Sequence, residues 1–288
     1  MNKKFFFLIL FLSISCVINN GCMKIAIRMS SPALFTNITQ SLLEECDTKI
    51  AQSSIPANLK ILEGLLKSDP ENRDILRLLS MGFCGYSLLF VETVDPPRAS
   101  ELYMRAFEFG LRALGHRKKI NDMDRIVLDN LLKNLKNSDI EPFLWTTVSW
   151  NSLVRLNLDK PVAVAQFGLA FSCIEKLLEM EPDYLYGTPY ILMGAGLSAR
   201  SPMLGGDYQK AKENFEKAMI FSNRSFFLAH YYYARYYCVG VQDREMFEKL
   251  LNEVISGDPG RLEDVCLINA VIQERAKELL ESIDDFFI

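Results

Sequence analysis

The amino-acid sequence predicts an all-α protein, an irregular superhelix of stacked helical hairpins, and three observations carry that expectation. Apolar residues recur at three- and four-residue steps in stretches such as "NLKILEGLLKSDP" and "MFEKLLNEVISGDP", the period of an amphipathic helix. Gly and Pro fall mainly between such stretches, where they interrupt helices. Three helices end on an acidic–proline stop, "KSDPEN", "EMEPDY" and "SGDPGR", because proline cannot continue a helix. A hydrophobic content of 49% and a charged content of 24% in 288 residues are those of a globular chain with a sizeable core.

The first element along the chain is a leader. "MNKKFFFLILFLSISCVINNGC" places Lys3 and Lys4 before an apolar run from Phe5 to Ile18. That run is shorter than the roughly 20 apolar residues that span a bilayer, so residues 1–21 read as a signal peptide. Cys22 follows Gly21, a small residue suited to a lipoprotein peptidase, whereas Cys16 follows "LSIS" with Leu12 upstream. Either position could carry a diacylglycerol, and two acyl chains suffice for stable anchoring. No second run of that length and purity follows, so residues 22–288 are expected to form one domain, soluble apart from its anchor. Cys46, Cys84, Cys173, Cys238 and Cys266 are scattered singly. That pattern is not a disulfide framework, and most of them are expected to be buried helix residues acting as small hydrophobes.

Repeats come next. "ASELYMRAFEFGLRAL" sets Ala99, Tyr103 and Ala106 on one helical face, and "GGDYQKAKENFEKAMIFSN" sets Ala211, Phe215 and Ala218 in the same spacing. Small residues let a neighbouring helix approach and the ring fills the gap, as in the second helix of a tetratricopeptide repeat. First helices match less well. "ILRLLSMGFCGY" offers Leu76, Leu79, Ser80 and Phe83, and "WTTVSW" offers Trp145, Val148 and Ser149. Pro70, Pro182 and Pro259 are unevenly spaced, so the array is irregular.

Within this register "AHYYYARYYCVG" (229–240) places Phe227, His230, Ala234 and Tyr237 on the concave side. The same placement gives Phe143, Thr146 and Trp150 in an earlier repeat, and Tyr186 and Met193 in another. With Trp145 and Tyr190 these rings describe an aromatic, apolar cleft for an apolar ligand or partner segment.

Catalytic chemistry is not visible. The two histidines are His116, beside "RKK", and His230. There is no nucleophile elbow, no phosphate-binding glycine loop after a strand and no metal-ligand cluster, so neither an enzyme nor a cofactor is expected. A net charge of −4 without a clustered basic face argues against nucleic acid.

The chain resembles the T-component lipoproteins of TRAP transporters over nearly all its mature length. The resemblance rests on "IAIRMSSPAL" soon after "GCMK", then "AFEFGLRAL", "PFLWTTVSWNSLVRLNLDKP", "EKLLEMEPDYLYGTPYILMGA" and "PMLGGDYQKAKENFEKAM". It closes with "VQDREMFEKLLNEV" and "QERAKELLESIDDFFI". The alignment favours Cys22 over Cys16 as the lipid site. The resemblance implies a periplasmic helical-repeat protein held on a bacterial membrane by its N-terminal lipid and associated as a trimer. It implies a partner, the TRAP substrate-binding protein, and a small apolar or acidic solute. The residues also admit a structural lipoprotein scaffold that binds a partner peptide during envelope assembly or secretion.

Overall fold

The computed structural model describes residues 35–200 and 202–287. The signal peptide and both candidate lipid sites, Cys22 and Cys16, lie outside the described residues. Every regular element among the described residues is helical, as the apolar periodicity predicts. Helix α1 covers residues 35–43. It is followed by α2 (Thr48–Ser68), α3 (Arg73–Tyr86, continued by a π-helical segment Ser87–Val91), α4 (Pro96–Ala113), α5 (Arg125–Asn134) and α6 (Ile140–Leu156). Then come α7 (Pro161–Met180), α8 (Tyr184–Ser198) and α9 (Tyr208–Phe221). Helix α10 (Phe227–Tyr232) runs through a second π-helical segment, Tyr233–Cys238, into α11 (Val239–Val241), and α12 (Arg244–Ser256) and α13 (Cys266–Glu281) complete the chain.

Boundaries follow local chemistry. Asp47, Asn72, Asp95, Asp124, Asp207 and Asp243 each accept from a backbone N–H in the first turn of the helix that follows, a cap of about 1 kcal/mol. Helices α2, α7 and α12 end just before Pro70, Pro182 and Pro259, where the stops were expected.

Helix α4 packs antiparallel to α3 and to α6. Arg73 Nε donates to the Ala113 carbonyl at 3.1 Å and Ser80 Oγ to the Ala106 carbonyl at 2.9 Å, so α3 and α4 run in opposite directions. On the other side of α4, Phe107 meets Trp150 at 5.2 Å between ring centroids, and Asn157 donates to Ser100 at 2.8 Å. Gly110 makes the three-helix contact possible: a Cβ there would lie 2.0 Å from Thr146 Oγ1 and 2.8 Å from Ser80 Oγ. Between α8 and α9 the small–ring–small stripe closes as expected. Ala211, Phe215 and Ala218 are fully buried, and Phe215 sits where a Cβ on Gly194 would be 2.9 Å away. Tyr103 does more than fill its gap, since its hydroxyl donates to Glu92 at 2.6 Å.

The array closes on itself. Helix α13 packs against α2 and against segment 87–91. A disulfide, Cys46–Cys266, joins positions 220 residues apart. Thr48 Oγ1 donates to Glu274 at 2.9 Å, and Arg275 to the Leu88 carbonyl at 2.6 Å. Here the structure departs from the sequence reading. Cys84, Cys173 and Cys238 are free and buried, but Cys46 and Cys266 are bonded to each other, because the first and last helices meet. Two helices also reach the length and apolarity of a membrane span, Arg73–Val91 and Pro161–Met180. The first lies within the helix stack. The second, α7, packs on α5, α6 and α8 along one side and exposes Val162 and Val164 on the other.

Candidate functional site

Helices α1, α2, α3, α6, α8, α10 and α13 converge on an apolar chamber of about 90 Å³. A void holds one water once it exceeds roughly 10–15 Å³, so this space admits several atoms of a guest. Leu42 and Leu43 of α1 form one wall and Met81, Leu88 and Leu89 another; Trp145, Leu192, Leu228, Tyr232 and Ile268 supply the rest. Thr188 also reaches the wall, but its hydroxyl donates to the Leu185 carbonyl at 2.7 Å, which leaves its methyl for the interior. A lining made almost wholly of apolar side chains favours an apolar guest over water.

A second, more polar pocket of about 350 Å³ adjoins the chamber and shares Leu43, Met81, Trp145 and Leu185 with it. Its rim holds the Arg77–Glu141 ion pair, Tyr184 and Asp264. Burial, and then the Glu141 charge, hold the Tyr184 phenol well above its ordinary pKa. Trp145 is buried and its indole Nε1 has no hydrogen-bond partner. Beside it the start of α8 is left-handed at three consecutive residues, Leu185 (φ 46°), Tyr186 (φ 56°) and Gly187 (φ 76°). Glycine adopts this conformation freely, whereas Leu185 and Tyr186 each cost about 1–2 kcal/mol. The tight turn brings Gly187 against Ala218 of α9, where a Cβ would be 3.2 Å from the Ala218 Cα. It also aims Tyr186 outward. Such strain concentrates at functional sites.

Of the cleft residues expected from sequence, Trp145 lines the chamber and the others pack elsewhere. Thr146 and Trp150 face α4 at Gly110 and Phe107, Trp150 also donates to Gln166 of α7 at 2.9 Å, and Phe143 is buried. Tyr186 donates to both Asp264 oxygens, at 2.6 and 2.8 Å, and lies 5.6 Å from Phe226. Its pKa is pushed up to about 12 by burial and then by that carboxylate. Tyr190 stacks on Phe221, Met193 packs with Phe171 and Ile174 of α7, and Tyr237 meets Tyr208. His230 is buried between α10 and α12, with Nε2 3.3 Å from Glu253. Burial and then Arg224 lower its pKa to about 4, so the ring is neutral near pH 7. The physical reason is common to these residues. Stripes assigned to an open concave surface are the seams by which each helix grips its neighbour, and the chamber takes the residues between them: 145 and 148 in α6, 185, 188 and 192 in α8, 228 and 232 in α10.

The tyrosine run divides in two. Tyr233 stacks on Phe215 at 5.0 Å and meets Tyr237 edge-on at 5.2 Å, filling the side toward α9. Tyr231, Tyr232 and Tyr236 turn the other way, toward Arg155, Arg275 and Glu92. Burial alone would lower the Arg155 pKa, but Tyr236, Glu92 and Tyr232 around it raise it. Sequence reasoning missed this side because the π-helical turn from Tyr233 adds a residue to the helical period.

The free cysteines are not poised for reaction. Burial first of all pushes the thiols of Cys84, Cys173 and Cys238 up to about 12, far from the range of reactive thiolates.

Two comparisons bear on this architecture. Residues 44–287 match the family described as TRAP transporter T-component. The chain is also 22% identical, over 271 residues, to a protein of Treponema pallidum (strain Nichols) described as uncharacterized; the alignment covers 88% of this chain and 84% of that one.

Proposed function

The chain belongs to the TRAP transporter T-component family, and from that membership and the apolar chamber we propose that it is a lipid-anchored, periplasmic accessory component of a TRAP-type solute uptake system. In this reading the helical domain, stacked in tetratricopeptide-like hairpins, docks the system's substrate-binding protein. The chamber shelters the apolar part of a small solute. The observation that carries the reading is the chamber itself: seven helices leave an apolar void where close packing is the rule, with a strained left-handed turn at its edge.

The Cys46–Cys266 disulfide supports an oxidising compartment such as the periplasm. Anchoring through Cys22, with Cys16 as the alternative, confines the domain near the membrane and raises its effective concentration for a partner. The outer face of α7, uncharged from 161 to 174 and exposing Val162 and Val164, is the surface assigned to protein contacts, including those between protomers of a trimer.

The test mixes the mature protein with the TRAP substrate-binding protein encoded near it and follows complex formation by size-exclusion chromatography. A stable complex that Val162→Glu together with Val164→Glu abolishes is the expected result. Absence of any complex, with both proteins folded, overturns the docking role. Labelling cells with a radioactive fatty acid distinguishes the anchors: Cys22→Ser should lose the label and Cys16→Ser should keep it.

A further inference from the structure

The side of the tyrosine run that faces away from α9 builds a site of its own. Glu92 accepts from the Tyr103 hydroxyl at 2.6 Å through one oxygen and from Arg155 at 2.6 Å through the other. The rings of Tyr231 and Tyr232 lie 6.2 Å apart, and those of Tyr232 and Tyr236 meet edge-on at 5.2 Å. Arg275 is fixed on the Leu88 carbonyl, and Arg235 lies 4.8 Å from the Phe286 ring. Tyr232 belongs both to this cluster and to the chamber wall, as does Leu88, whose carbonyl accepts from Arg275, so the cluster adjoins the chamber.

Two further observations mark it. The π-helical segments Ser87–Val91 and Tyr233–Cys238 both end in this cluster: Glu92 follows the first, Tyr236 lies in the second, and Arg275 takes a carbonyl that the first presents. Segments of this kind are rare and gather at functional sites. Arg155 and Arg275 lie near Tyr232, and Arg235 and Arg275 near Tyr231, with Glu92 beside both rings. The Arg155 side chain, with Glu92 on one edge of its guanidinium, remains 36% exposed, so a ligand can reach it. A carboxylate facing such a guanidinium forms short charge-assisted hydrogen bonds, and tyrosine hydroxyls add neutral donors.

We propose that Arg155, with Tyr232 and Tyr236, holds the carboxylate of an aliphatic monoanion whose hydrocarbon tail passes Tyr232 into the chamber. This rests on the reading of the chamber as the solute compartment. A second carboxylate on the ligand would face either the apolar wall or Glu92, and both are unfavourable.

The test titrates octanoate and 1-octanol, equal in chain length, into the mature protein by calorimetry. The native protein should bind both and prefer octanoate. Arg155→Gln should weaken octanoate about tenfold or more, the scale of hydrogen bonds to charged groups, and leave octanol unchanged. Tyr236→Phe, which keeps the ring, should weaken octanoate several-fold. Glu92→Gln should tighten octanoate, because it releases Arg155 from its internal partner; a cluster with a merely structural role gives no such gain. Octanol binding without a preference for octanoate, equal weakening of both ligands by Arg155→Gln, or weaker octanoate binding in Glu92→Gln overturns the inference alone. Failure of the native protein to bind either ligand overturns the chamber reading and this inference with it, while docking is judged separately by complex formation.

Discussion

The seam between α8 and α9 and the junction where α13 meets α2 hold the same protein together by different means. At the seam, Ala211 and Ala218 let the backbones approach, and Phe215 fills the space beside Gly194. The contact is local in sequence, apolar and extended over several turns. At the junction the ties are single: one disulfide, the Thr48–Glu274 hydrogen bond and the Arg275–Leu88 hydrogen bond. The partners are distant in sequence and the chemistry is covalent or polar. Periodic packing builds the pairs, and isolated contacts join the first helices to the last.

The largest effect that separates the two regions is expected at the seam. Phe215→Ala removes a fully buried ring and should cost about 3–5 kcal/mol, lowering the thermal midpoint equally with and without reductant. A dependence on reductant would couple the seam to the junction, against the additivity expected of distant sites. Next is the junction itself. Cys46→Ser opens a loop of 220 residues and should cost about 2–5 kcal/mol. It should leave the protein with the midpoint of the reduced native chain. Equal midpoints for oxidised and reduced native protein would mean that the bond does not stabilise the closure.

The same contrast explains what the sequence reveals. The all-α class, the proline stops and both small–ring–small stripes are legible, because each is written in residues three to seven positions apart. The pairing of Cys46 with Cys266 is not, since nothing near either cysteine points to the other. The chamber was legible only in Trp145. Phe143, Trp150, Met193 and His230 have the apolar spacing of an inner surface, but the same spacing serves a helix–helix seam, and burial in the chain decides for the seam. The left-handed residues Leu185 and Tyr186 and the π-helical turn at Tyr233–Cys238 shift the register locally, which periodicity alone cannot register. Leu228 and Tyr232 reach the chamber in place of His230 and Tyr237.

A smaller effect concerns pH. The folded chain lowers the His230 pKa to about 4 from an ordinary value of 6.5, so the unfolded chain takes up the proton first as pH falls. This contribution is therefore intact above about 6.5 and is lost progressively as pH drops toward 4. His230→Gln should flatten that part of the stability profile measured by urea titration. An unchanged slope would assign the pH dependence to other groups.

The smallest expected effect lies at the junction and sharpens the contrast. The Thr48–Glu274 hydrogen bond is solvent-exposed, and such a bond contributes about 0.5–1.5 kcal/mol at most. Thr48→Val should thus lower the midpoint only slightly while the disulfide is intact, because the covalent bond already holds the two helices together. In the Cys46→Ser background the same substitution should cost more, since the hydrogen bond then becomes one of the few remaining ties. A double-mutant cycle measures that difference. A coupling energy of zero would show that the closure rests on apolar packing between α13 and α2, and the junction would then be a seam like the others.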